Sequence, residues 1–108
     1  MQDADLVFYV KLELKPEYVE EWKAAVVAVI EQMSCESAFV SCSLQQDIGD
    51  PASFTLYERW REPSVEAFIE NQFEGKEYRQ EYEARLPAML RTPRAPTVLR
   101  HVQEWRAS

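Results

Sequence analysis

The sequence predicts an α+β fold in which helices cover one face of a four-stranded antiparallel sheet. Residues 6–14 alternate between apolar and other side chains, and residues 18–33 carry an apolar stripe with helical spacing. Residues 54–60 have the composition of a strand, and Ser64 then marks the start of another helix. Because the chain has only 108 residues, we interpret it as a single domain over residues 1–108.

The first strand is predicted over residues 6–14, where the side chains alternate with a period of two. One face carries five apolar residues, which are Leu6, Phe8, Val10, Leu12 and Leu14. The opposite face begins with Val7 and Tyr9 and then becomes charged. The second face is therefore expected to be partly covered as well.

The first helix is predicted to begin at Pro16 and to end between Ser34 and Ser37. Proline suits the first helical position because its missing N–H needs no partner there. Acidic side chains in the first turn complement the positive end of the helix dipole. The apolar stripe repeats at steps of three and four residues: Tyr18, Trp22, Ala25, Val26, Val29, Ile30 and Met33.

The second and third strands are predicted over residues 38–46 and 53–61. The residues between them, 47–51, combine aspartate, glycine and proline, which is typical of a turn. Strands joined by such a short loop are expected to pair as an antiparallel hairpin.

The second helical region is predicted to begin at Ser64, a good N-cap residue, and to be interrupted at Gly75. A further helical piece follows from Lys76, and Pro87 is expected to end or kink it. Residues 97–105 form the predicted last strand. Two strand–helix–strand halves of similar length indicate the ferredoxin-like βαββαβ arrangement, with both helical layers on one face of the sheet.

The other face of this sheet would be bare, although the strands carry apolar residues on both sides. Val7, Tyr9, Val40, Leu44 and Tyr57 are the residues expected to make that face apolar. A large exposed apolar face marks an interface, so the sequence predicts a homodimer that packs sheet against sheet. The alternative is a set of scattered surface hydrophobic residues.

Charge and composition disfavour several classes of partner. The net charge is −7, which disfavours nucleic acid and anionic membranes. Arg91, Arg94 and Arg100 are spread through a proline-containing segment, which we interpret as a solvated loop. The N-terminus lacks the basic region of a signal peptide, and no apolar run is long enough to span a bilayer.

The two cysteines, Cys35 and Cys42, are better interpreted as small buried residues than as a disulfide framework. Together with the absence of a signal peptide, they favour a reducing, cytoplasmic location. No spacing of Cys, His and carboxylate residues supports a metal site.

Three segments make the chain resemble the antibiotic biosynthesis monooxygenase family: the strand Phe54–Trp60, the helix start Ser64–Phe68 and the aromatic helix Tyr78–Leu90. The resemblance runs from Phe8 to about Trp105. It implies a dimeric α+β barrel with a cleft between the sheet and the helices. Family members that act on anthrone- or quinol-like aromatics use no cofactor, because the deprotonated substrate passes an electron directly to O₂.

The resemblance also implies roles for particular residues. Trp60 matches the family tryptophan that ends the third strand and can line the cleft. Many members carry a histidine on the following helix, where this chain has Glu70, Asn71 and Gln72. The haem-degrading branch is not matched, since its asparagine and axial histidine fall near Tyr9 and Glu81. The resemblance therefore implies a cofactor-free site without the usual histidine.

Glu58 and Trp60 are the leading site candidates, because they share a strand face with Phe54 and Leu56. If that face meets the helices, Trp60 would form an aromatic wall for a planar substrate, although it could equally be core. A buried Glu58 would have a raised pKa and could act as a base, or it could form a structural ion pair. Phe68, on the apolar stripe of the following helix, is a candidate substrate contact.

Five weaker candidates complete the set. Asn71 and Gln72 could orient a hydroxyl group or O₂, or lie on a solvated helix end. Tyr78 and Tyr82 are four residues apart, so they could direct phenol groups into a pocket or simply pack. His101 could be a general base or an ordinary strand histidine.

These residues leave three functions open. The leading hypothesis is cofactor-independent oxygenation of a small aromatic or quinol-like metabolite. The alternatives are a non-catalytic small-molecule-binding or structural dimer, and an isomerase or decarboxylase that uses Glu58 or His101 as acid or base.

Overall fold

The computed structural model describes residues 5–108, and its elements follow the predicted order. The strands are β1 (Leu6–Glu13), β2 (Phe39–Asp47), β3 (Asp50–Trp60) and β4 (Ala95–Arg100). The helices are α1 (Val19–Met33), α2 (Val65–Phe68) and α3 (Glu77–Met89), with a 3₁₀ turn at Pro16–Tyr18 and a π-helical turn at Ile69–Phe73. The sheet order is β2-β3-β1-β4, and every neighbouring pair is antiparallel. The predicted ferredoxin-like α+β fold is confirmed.

The hydrophobic core lies between one face of the sheet and the helices. The predicted apolar face of β1 is buried, and its partners across the sheet come from the alternate residues of β3. Trp22 of α1 packs on Phe54 with ring centroids 4.9 Å apart, and its indole Nε1 donates a hydrogen bond of 2.9 Å to Oη of Tyr82. This contact ties α1 to α3 above the centre of the sheet.

The connection from β3 to α3 is more complex than the predicted short helix. Oγ of Ser64 accepts a hydrogen bond of 3.1 Å from the backbone N–H of Ala67, so the predicted N-cap is present. The helix then widens into the π-helical turn at Ile69–Phe73. Gly75, at φ 78°, occupies the left-handed region, which glycine adopts without steric cost, and the chain turns there into α3.

The C-terminal half differs from the prediction in its last strand. Pro87 lies inside α3, which ends two residues later at Met89, where the backbone N–H of Lys15, from the segment after β1, donates a hydrogen bond of 2.9 Å to the Met89 carbonyl. The last strand covers Ala95–Arg100 rather than residues 97–105. Arg100 pairs with Leu6, the first residue of β1, so the strand ends where its antiparallel partner begins.

The face of the sheet that points away from the helices is apolar in part. Tyr9 lies directly opposite Tyr57, and these side chains are 42% and 45% exposed. Leu99 is also exposed there, whereas Val7 is buried. Leu44 was assigned to this face wrongly: it pairs with Leu56 and packs against the core, because an irregularity between Phe39 and Ser41 resets the alternation of β2.

Candidate functional site

A cavity of about 360 Å³ lies between β1, β4 and the segment from α2 to α3. Its walls are largely apolar and include Phe8, Phe68, Phe73, Val65 and Val98. Four ionisable residues also line it, which are Glu58, Arg79, Glu83 and Arg94. A concave, mostly apolar space with a few convergent polar groups is the usual form of a small-molecule site.

Glu58 is the buried acid of this cavity. It lies on the helix-facing side of β3, between Leu56 and Trp60, and it is only 7% exposed. Burial raises the pKa of its carboxyl group above the ordinary value, and the Trp60 hydrogen bond and the Arg79 charge offset this only in part. A carboxyl group with a raised pKa in a largely apolar cavity is a stronger base than an ordinary carboxylate and is suited to accept and return a proton.

Trp60 contacts Glu58 but does not line the cavity. Its indole Nε1 donates a hydrogen bond of 3.1 Å to Oε1 of Glu58. The ring is fully buried and makes edge contacts with Phe39 and Phe68, at centroid distances of 5.3 Å and 5.2 Å. Trp60 is not among the residues that line the cavity, whereas the predicted substrate contact Phe68 is.

Arg79 is the buried cation of the cavity, at 6% exposure. Its guanidinium carbon lies 4.5 Å from the ring centroid of Phe73 and 5.6 Å from that of Phe68. Its Nε donates a hydrogen bond of 3.2 Å to the backbone carbonyl of Gln72. In the part of the chain that the structure describes, Nη2 of Arg79 has no hydrogen-bond partner.

Glu83 and Arg94 form a closed ion pair at the edge of the cavity. Both terminal nitrogens of Arg94 donate to the Glu83 carboxylate, at 2.8 Å and 2.7 Å. This two-pronged hydrogen bond raises the pKa of Arg94. Since the two charges cancel, the pair contributes little net charge to the cavity.

The structure places Asn71 and Gln72 on Glu62 rather than in the cavity. The Asn71 Nδ2 and Gln72 Nε2 atoms donate to the two carboxylate oxygens of Glu62, at 3.1 Å and 2.8 Å. Glu62 and Gln72 are buried, while Asn71 is exposed. The two amides therefore fasten the π-helical turn to the end of β3.

The two tyrosines lie in a different groove, of about 190 Å³, between α1 and α3. Oη of Tyr78 donates to Glu36 at 3.1 Å, and Oη of Tyr82 accepts from Trp22. Burial raises the pKa of Tyr78 and of Tyr82 to about 12, with the Glu36 hydrogen bond adding to the effect at Tyr78. Both phenols remain protonated near neutral pH and serve as links between elements.

His101 is separated from the other candidates. The prediction that it belongs to the last strand was wrong, because β4 ends at Arg100. Its backbone N–H still donates to the Asp5 carbonyl at 2.9 Å, which holds it at the end of the sheet. The side chain is absent from the lining of the cavity.

A larger groove of about 460 Å³ follows the loop between α3 and β4. Its cations are already paired: Arg94 with Glu83, and Arg91 with Glu13 and Asp50 at 3.1 Å and 2.6 Å. The smaller cavity beside Glu58 is therefore the better candidate site, since it alone of the two combines buried ionisable groups with aromatic walls.

Neither a metal site nor a membrane span is present in the described residues. Between residues 5 and 108, no group of three or more His, Cys, Asp or Glu side chains is placed to hold a metal ion. No helix in the same range is long and apolar enough to cross a membrane. Cys35 and Cys42 are both free thiols.

Sequence reasoning missed Arg79, Glu83 and Arg94. Arg79 and Glu83 lie four residues apart on α3, on the side that meets the sheet, but charged residues in a polar helix are normally solvated. The available signal was the position of Tyr82 and Leu86, which orient the same side of α3 towards the core.

Comparison with known proteins supports one family. The model of the antibiotic biosynthesis monooxygenase family matches residues 6–71. No protein of curated function matches the chain. Rv0793 from Mycobacterium tuberculosis has 24% sequence identity and a TM-score of 0.80, and the match covers 94% of this chain and 98% of that one.

Two further solved structures show the same fold. PA3566 from Pseudomonas aeruginosa has 18% identity and a TM-score of 0.80, with 95% and 99% of the two chains covered. A structure named antibiotic biosynthesis monooxygenase has 19% identity and a TM-score of 0.77, with 91% and 99% covered. The family match spans more than half of the chain, and the fold agrees over nearly all of it. The chain belongs to the antibiotic biosynthesis monooxygenase family.

Proposed function

We propose that the chain is a cofactor-independent monooxygenase that oxygenates a small aromatic or quinol-like substrate in the cavity beside Glu58. The observation that carries the proposal is a buried carboxyl group that opens onto a space walled by Phe8, Phe68 and Phe73. Family membership supports the same reaction class.

The proposed reaction starts with proton transfer from the substrate to Glu58. For an anthrone-type substrate, the CH₂ group loses one proton and the carbanion gives one electron to O₂. Recombination of the two radicals forms a C–O bond and a peroxide, which takes up the proton. Loss of water then breaks the O–O bond and the second C–H bond and leaves a ketone. One oxygen atom enters the product and the other leaves as water, so no external reductant is needed.

The surroundings of Glu58 suit this chemistry. A second void of about 40 Å³ adjoins Glu58 and is bordered by Leu12, Val26 and Met33. A space of that size exceeds the roughly 10–15 Å³ that a water-sized molecule needs, so it offers room for O₂. The largely apolar walls would keep water away from the carbanion, and the Arg79 charge would favour its formation.

We also propose that the chain works as a homodimer in the cytoplasm. The exposed pair Tyr9 and Tyr57, with Leu99 beside them, forms an apolar area on the helix-free face of the sheet. A second copy would cover this area by the same surface on both chains. The two free cysteines agree with a reducing compartment.

The test is oxygen uptake with anthrone and with 1,4-dihydroxynaphthalene, measured above the rate of spontaneous oxidation. The wild type is compared with Glu58→Gln and with Glu81→Gln, an exposed position on α3. Loss of the base should lower the rate by about 100-fold or more, while Glu81→Gln should leave it unchanged.

Mass spectrometry after reaction with ¹⁸O₂ should show one labelled oxygen in the product. If these compounds bind under anaerobic conditions but cause no oxygen uptake in the aerobic assay, the alternative, a non-catalytic small-molecule-binding dimer, would be favoured. Equal rates for wild type and Glu58→Gln would remove Glu58 from the proposed mechanism.

A further inference from the structure

Arg79 carries a buried positive charge that no carboxylate of the described residues neutralises. A guanidinium group stays charged at any ordinary pH, and taking it out of water is costly unless it is paired. At 6% exposure, Arg79 is nevertheless in no ion pair with any residue between 5 and 108. Three aromatic rings surround it, with the third, Trp60, at 5.9 Å from the guanidinium carbon to the ring centroid.

The carboxylates that line the same cavity do not neutralise Arg79. Glu83 is held by both terminal nitrogens of Arg94. Glu58 accepts a hydrogen bond from Trp60 and forms no salt bridge with Arg79. Arg79 therefore lines the cavity as an unneutralised cation, and its buried Nη2 atom has no hydrogen-bond partner among residues 5–108.

We propose that Arg79 is a specificity-determining residue, which selects a flat aromatic ligand that carries one anionic oxygen group. The aromatic part would lie among Phe8, Phe68 and Phe73, and the anionic oxygen would accept a hydrogen bond from the guanidinium group of Arg79. The inference rests on the proposed function only in that both use the same cavity, since it requires no reaction with O₂.

A purely structural role makes the opposite predictions. If the cation only packs against its three rings, removing it would lower stability and would not change the choice between charged and neutral ligands. If Arg79 instead serves to bind an anionic ligand, Arg79→Met would remove an uncompensated buried charge from the ligand-free protein, so its stability should be kept or raised. Methionine suits the site because its thioether packs well against aromatic rings.

The test compares a charged and a neutral ligand of the same shape, 1-naphthoate and 1-naphthamide, by calorimetric titration under argon. The wild type should bind the naphthoate about ten- to hundredfold more tightly, as expected for a hydrogen bond between charged groups. Arg79→Met should abolish this preference, and Arg79→Lys should keep part of it. Arg85→Met is the matched control, because Arg85 lies exposed on the same helix and its removal should keep the full preference.

A second probe, 1-naphthol, distinguishes a phenolate-type anion from a carboxylate. Its absorbance reports ionisation in the bound state. Wild-type protein should lower the pKa of 1-naphthol relative to free 1-naphthol, and Arg79→Met should not. An Arg79-dependent preference for the anion with either probe supports the inference. Equal affinities for naphthoate and naphthamide in the wild type, together with an unshifted naphthol pKa, would overturn it, and this result does not depend on any variant folding. If the wild type prefers the anionic probe but shows no oxygen uptake with anthrone or 1,4-dihydroxynaphthalene, the proposed monooxygenase activity would be refuted and the role of Arg79 would not.

Discussion

The indole N–H of Trp60 and the carboxylate of Glu58 are joined by a hydrogen bond of 3.1 Å along the same face of β3. The two residues alternate with Tyr57 and Arg59, so the pleat of the strand brings their side chains together. Trp60 therefore acts on the cavity through Glu58, although its ring does not line the cavity.

Replacing Trp60 by phenylalanine should affect proton transfer more than ligand binding. The hydrogen bond lowers the pKa of Glu58, so its loss should raise that pKa further and shift the acidic limb of the activity profile to higher pH. A buried carboxyl group without its donor should also cost about 1–3 kcal/mol of stability. The control is Trp105→Phe, because Trp105 is 79% exposed. An unchanged pH profile in Trp60→Phe would contradict this link.

The raised pKa of Glu58 predicts a particular dependence of stability on pH. Between the unfolded pKa of roughly 4.3 and the higher folded value, the folded chain binds more protons than the unfolded chain. The contribution of Glu58 is therefore full at low pH and falls as pH rises through that interval.

The variant Glu58→Gln isolates this contribution, because glutamine does not titrate. Its stability relative to the wild type should increase from about pH 4 upwards and level off above the folded pKa. Urea unfolding at a series of pH values measures the difference, with Glu81→Gln as the control. A difference that is constant with pH would show that the folded pKa is not raised.

The proposed dimer predicts that one charge on the helix-free sheet face should separate the subunits. Sedimentation should give the wild type twice the mass of the 12.7 kDa chain. Tyr57→Lys should sediment as a monomer, since it places a like charge in both halves of a symmetric contact. Ile48→Lys is the matched control, because Ile48 is fully exposed at the tip of the β2–β3 hairpin. A wild-type monomer at micromolar concentration would exclude the proposal.

Glu62 should be important for stability rather than for chemistry. Glu62→Ala leaves the buried amide of Gln72 without its acceptor, at a cost of about 1–3 kcal/mol. Asn71→Ala should cost less, about 0.5–1.5 kcal/mol, because Asn71 is exposed. Urea unfolding measures both, with Glu70→Ala as the control. If Asn71→Ala instead reduced oxygen uptake without loss of stability, the amide would have the role in orienting O₂ that the sequence suggested.

The fold could be predicted from the sequence because local patterns decide it. The alternation in residues 6–14 and the stripe from Trp22 to Met33 each correspond to one buried face. The end of the last strand could not be predicted, since it depends on where β1 begins. Leu44 was misplaced for a similar reason, because an irregularity in β2 is a property of strand pairing.

The site could be predicted less completely. Glu58 was found because an acid between Leu56 and Trp60 interrupts an apolar strand face. Arg79 was not found, because burial of a charge on a helix depends on what packs against it. Asn71 and Gln72 were correctly placed on the second helical region, but their common partner Glu62 lies across a turn.

The π-helical turn at Ile69–Phe73 lines the cavity, and a change in the length of this turn would change the shape of the cavity. A π turn holds one residue more than an α turn, so deleting a single codon there would restore ordinary helical winding. Such a deletion would swing the side chain of Phe73 by about a quarter of a revolution while the strands below kept their register. Relatives could thus acquire differently shaped binding spaces through one-residue length changes, without any alteration of the sheet.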